Sequence, residues 1–129
     1  MNKIIVEVSI GELLDKISIL EIKLEKIKNP EKLKFISNEH SILKKQLENN
    51  VLADDNLDEL FLSLKKINNK LWTIEDEKRQ CEKDKDFGEK FIKLSRDVHF
   101  LNDDRAKIKL EINNLTGSAI KEIKEYTSY

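Results

Sequence analysis

Proline, glycine and aromatic residues are scarce in this chain: one Pro, three Gly and 6% aromatics in 129 residues. Sandwiches and barrels need frequent turn residues, so this shortage excludes them. The single cysteine, Cys81, leaves no intramolecular disulfide and fits a reducing compartment. No apolar run reaches the roughly 18 residues that a membrane span needs, and the opening residues lack the apolar core of a signal peptide. A cytoplasmic setting is therefore expected. Neither sign of charge dominates: 24 Lys and Arg face 25 Asp and Glu, for a net charge of −1. Nucleic-acid binders concentrate basic residues on one face, so no such partner is expected, and no membrane either. No glycine-rich phosphate loop, Ser-His-Asp order or paired cysteine motif occurs, and no cofactor is expected. Asn114-Leu115-Thr116 matches the glycosylation pattern, but without secretion it reads as chance.

What is present is charge, at 38% of residues, with Leu and Ile at helical spacing. That combination reads as a helix bundle or coiled coil, and the length fits one domain, 1–129. Lys3 to Val8 is β-branched, with Ile4, Val6 and Val8 on one side, and predicts a short strand. A lone strand needs a partner, so this one pairs with the C-terminal tail, 118–129, or with another subunit. Ser9-Ile10-Gly11-Glu12 predicts a capping box, with Ser9 as cap and Glu12 reaching back to its N–H. Helices are expected over 10–28, 30–48, 57–83 and 87–115. Asn29-Pro30 separates the first two. Gly117 is expected to stop the last in a left-handed conformation. The expected fold is thus mainly α, an antiparallel bundle of two helical hairpins with a short N-terminal β-strand.

Helical-wheel placement finds polar residues inside apolar arcs. On the third helix these are Asn68 and Glu75, with Trp72 and Arg79 toward one edge. On the fourth, Arg105 and Lys109 fall inside the arc, and Ser95, Asn102 and Asn113 flank it. On the first, Glu21 lies between Ile17 and Leu24. The short turn at Asp86-Phe87-Gly88 makes the last two helices antiparallel, with Asn68 level with Arg105 and Glu75 level with Val98. Asn68, Asn102 and Arg105 then form one layer. Glu75 and Arg79, four residues apart, form an intrahelical pair in a second.

Two readings of this seam stand side by side. A satisfied internal network would fix helix register, in a module that dimerises or binds another protein. Alternatively the inward side chains form a ligand site, either a binding site or an enzyme's, with Arg79, Arg105 and Lys109 against Glu21 and Glu75 suiting a small carboxylate or phosphate ester. A carboxylate metal site is not expected, because Asp76, Glu77, Asp97, Asp103, Asp104 and Glu111 point outward on the wheel. His40 and Cys81 read as core residues.

Several segments carry a family resemblance. Val8-Ser9-Ile10-Gly11-Glu12-Leu13-Leu14-Asp15-Lys16-Ile17 through Ile22-Lys23 resembles the opening of a small family of uncharacterised bacterial and phage proteins. Leu71-Trp72-Thr73-Ile74-Glu75-Asp76-Glu77, Phe91 to Arg96, and Asn102-Asp103-Asp104-Arg105-Ala106 are similar to its central signatures. Gly117-Ser118, Lys124-Glu125-Tyr126 and Tyr129 are similar to its ending. The resemblance implies this length, a helical fold and a cytoplasmic setting (the host's, if phage-encoded), and no activity. His40 stands where that family usually has an aliphatic residue. Asp15, Lys16, Asp76 and Asp103 belong to the signatures although the wheel turns them outward. Either they face another helix or a partner, or the wheel phases are off.

Overall fold

A computed structural model describes residues 2–129. Four helices follow in order: α1 Ile10–Lys26, α2 Pro30–Asn50, α3 Asp55–Asp84 and α4 Glu89–Thr116. Their ends follow local chemistry. Ser9 Oγ accepts from the Glu12 N–H (3.0 Å), and Asn29 Oδ1 from the Lys32 N–H (3.0 Å) with Pro30 opening α2. Asp54 caps α3. Gly117 ends α4 in the left-handed region (φ 65°), as expected. α3 ends the same way, but on Lys85 (φ 53°) rather than a glycine.

The bundle is organised around α1. It packs against α2, α3 and α4, whereas α2 packs against α1 alone. α1 is correspondingly buried around most of its circumference, at Gly11, Leu14, Asp15, Ile17, Ser18, Leu20 and Ile22, and α2 has no buried residue. The central core is Leu14, Leu57, Leu64 and Ile112, sealed by Ile10, Leu47, Val51, Leu60 and Ile108. Burial of each such aliphatic side chain stabilises by roughly 1.5–3 kcal/mol.

At about 1.5 Å per residue, α1 is roughly 26 Å long and α3 roughly 45 Å. The hairpin of α3 and α4 therefore outreaches α1. In its outer half Cys81 and Leu94 are buried.

One expected element is absent. Lys3–Val8 is not a strand, and no strand occurs among the described residues. A strand requires a neighbour with which to exchange ladder hydrogen bonds, and the tail is engaged elsewhere. It runs back along α4, where Glu122 accepts from Lys109 Nζ (3.3 Å). Further along, Tyr129 Oη donates to the Asp103 carboxylate, its ring packed edge-on against His99 and Phe100.

Candidate functional site

The polar seam converges on a residue that the helical wheel had turned outward. Asp15 of α1 is buried, its side chain only 2% exposed. Arg105 Nε donates to its Oδ1 at 2.9 Å, and Nη2 donates to Oδ2. This two-pronged geometry is the strong form of a carboxylate–guanidinium pair. Asn68 Nδ2 donates to the same Oδ1 (2.8 Å) and to Ser18 Oγ (2.8 Å), and the Ser18 hydroxyl donates to the Asp15 carbonyl (2.7 Å). Lys109 Nζ stands 3.9 Å from Oδ2. Hydrogen bonding to Asp15 raises the Arg105 pKa above its ordinary value, so this cation does not titrate in water.

A second cluster ties the start of α1 to the end of α4. The Gly11 N–H donates to Asn113 Oδ1 (2.7 Å) and the Ile10 N–H to Ser118 Oγ (3.2 Å). With Ser9 serving Glu12, the N–H groups that open α1 are all satisfied, two of them from about a hundred residues away. Gly11 makes the approach possible, since a Cβ there would sit 2.6 Å from the Lys109 carbonyl oxygen. The Glu12 carboxylate does not close a capping box on Ser9. It accepts from Lys109 Nζ at 2.7 Å instead.

The eight residues read as a single seam are distributed over separate places. Asn68, Trp72, Glu75, Arg79 and Arg105 line one cleft of about 330 Å³ between α1 and the hairpin, floored by Ile22 and Leu71. Asn102 and Lys109 lie on the opposite side of Arg105, against a cavity of about 730 Å³ beneath the tail. Asn102 Oδ1 meets Arg105 Nη1 at 3.4 Å, which gives the expected Asn68–Arg105–Asn102 layer. Glu21 belongs to neither cavity. It contacts His40 Nε2 (3.2 Å) and Lys65 Nζ (3.4 Å). Hydrogen bonding to Glu25, then to Glu21, raises the Lys65 pKa.

Glu75 and Arg79 depart from expectation. Both are exposed, and no ion pair joins them. The reason is length: α1 ends near their level, so nothing covers that face of α3.

Asp15 and Ser18 are the residues missed. The one pointer to Asp15 was its place in the opening signature, at odds with its wheel position.

The buried side-chain oxygens and nitrogens among the described residues all have partners. No three His, Cys, Asp or Glu side chains there converge as a metal site. Among the described residues no helix is long and apolar enough to cross a membrane.

The chain matches a known family over nearly its full length. The chain belongs to DUF6165, a family of unknown function, whose model matches residues 4–129. No curated protein and no solved structure matches the chain. The matched span takes in the segment before α1 and the tail as well as the four helices.

Proposed function

We propose that this DUF6165 chain is a protein-interaction module in which the bundle is a fixed platform and the segment Lys3–Val8 is the docking element. The observation that carries this reading is the exposure of the segment. Ile4, Ile5 and Val6 are 90%, 83% and 69% exposed, and nothing among the described residues pairs with them as a strand. A β-branched run with open backbone donors and acceptors is suited to strand addition, in which main-chain hydrogen bonds supply affinity and alternate side chains supply specificity. The platform is suited to hold it, because Ser9 is buried and fixes where the segment leaves α1. The test compares the full chain with one lacking residues 2–8 in crosslinking from cells that make the protein. Complexes lost with the segment support the reading, and complexes that survive its removal overturn it.

A second reading rests on the cleft beside Arg105. Arg79, Arg105 and Trp72 line it together, a set whose guanidinium groups are able to hold a small carboxylate or phosphate. Under this reading a panel of phosphates and dicarboxylates raises the melting temperature by mass action, and Arg79→Ala removes the shift. No shift with any of them rejects it.

A further inference from the structure

We infer that the partner of the Lys3–Val8 segment is the same segment of a second copy, paired antiparallel about a two-fold axis beside Ile5. This rests on the reading of the segment as a docking strand and names its partner.

The sequence of the segment is self-complementary in one register. With Ile5 opposite its own copy, Lys3 faces Glu7 of the second chain and Glu7 faces its Lys3, so two opposite-charge pairs flank the axis. Residues directly opposite in an antiparallel ladder share a face. Lys3, Ile5 and Glu7 therefore make one face of the ribbon. Ile4 and Val6 cross-pair on the other, with Val8 opposite Asn2. Sliding the register by two residues in either direction puts Ile5 opposite Lys3 or Glu7 and removes both charge pairs. A slip of one residue sets Ile4 against Glu7 and Lys3 against Val8, mixing apolar with charged.

The rest of the chain leaves this pairing open. The tail is bound along α4 by Glu122 and Tyr129. Residues 2–8 are exposed throughout, so neither edge is covered. Proteins commonly protect such an edge with proline, a bulge or an inward charge. Here only Lys3 and Glu7 break the apolar run, and in the dimer they are the residues that match. The net charge of −1 sets no electrostatic barrier to self-association. Two paired strands form a small interface, so the dimer is a weak one.

The test is sedimentation equilibrium of the full chain across a wide concentration range, with amide hydrogen exchange over residues 3–8. A monomer–dimer equilibrium is expected, with exchange in the segment slowing as dimer forms. Lys3→Glu sets Glu against Glu at both ends of the ribbon and should raise the dissociation constant about tenfold or more. Lys3→Glu with Glu7→Lys in one chain should restore it. Mixing the Lys3→Glu chain with a Glu7→Lys chain should yield a heterodimer tighter than either homodimer. A monomer at every concentration, growth past two copies, or indifference to the charge swap overturns the inference. If the chain is monomeric and removal of residues 2–8 still abolishes its crosslinked complexes, the docking strand stands and only the second copy is wrong as its partner.

Discussion

Asp15 and Arg105, ninety positions apart in the chain, meet in a two-pronged ion pair that joins α1 to α4. Asp15 is sealed from water, while the Arg105 side chain keeps 28% exposure. Loss of the guanidinium would leave a buried carboxylate with Asn68 as its remaining close side-chain donor. Breaking a buried pair from one side costs about 3–5 kcal/mol, and the partial exposure of Arg105 favours the lower end. Arg105→Leu should therefore destabilise by about 3 kcal/mol in urea unfolding. Glu75→Leu should stay within about 0.5 kcal/mol, because that carboxylate is exposed and unpaired. Equal effects from the two would show that the network is not what holds α1 to the hairpin.

Gly11→Ala poses a contest of signs. Within a helix, alanine is favoured over glycine by about 1 kcal/mol. Here the added Cβ would lie 2.6 Å from the Lys109 carbonyl oxygen, which belongs to the α4 backbone and cannot swing aside. Overpacking of this kind costs about 1–3 kcal/mol, and separating α1 from α4 also strains the Gly11–Asn113 hydrogen bond. The variant should be less stable than the parent by thermal melting. A stabilised variant would mean that the two helices are not in this contact.

The core and the second helix should respond in opposite ways to truncation. Leu64 is fully buried among Leu14, Leu57 and Ile112, so Leu64→Ala should cost about 2–5 kcal/mol. Phe35 is larger but exposed on α2, and Phe35→Ala should change stability by less than about 0.5 kcal/mol. Denaturant midpoints for the two variants check the ranking. A costly Phe35→Ala would show that α2 is covered in solution.

The four helices were legible because their signals are local. Apolar spacing near 3.6, Ser9, Asn29-Pro30 and Gly117 each act within a turn or two. The Asn68–Arg105–Asn102 layer was legible as well, since the short link after α3 sets the hairpin register. Asp15 was not. A wheel measures each residue against the apolar arc of its own helix, and α1 has neighbours on three sides, so its buried surface is wider than one arc. Glu75 and Arg79 failed for the converse reason. Their arc is apolar, but α1 is too short to cover it. The N-terminal strand failed because extended propensity does not supply a neighbour.

The tail should leave α4 at both extremes of pH. Its hydrogen bond to the Asp103 carboxylate holds the Tyr129 phenol above its ordinary value of 10.0. A group with a raised folded pKa contributes fully below its unfolded value, and that contribution fades as pH climbs through the folded one. The Tyr129 contact is thus intact at neutral pH and lost only in alkali above 10.0. Glu122 has the opposite sign. Lys124, hydrogen-bonded to it at 2.5 Å, and Lys109 hold its pKa below 4.5, so its contribution is present above that value and lost as pH falls through the lowered one. Both groups are well exposed, and water and salt weaken each contact, so the readout is local rather than global stability. Ultraviolet titration of phenolate should show one late-ionising tyrosine, and Asp103→Asn should bring it back toward 10.0. If the titration is identical in the parent and the variant, Tyr129 does not rest on Asp103 and the end of the tail does not lie against α4.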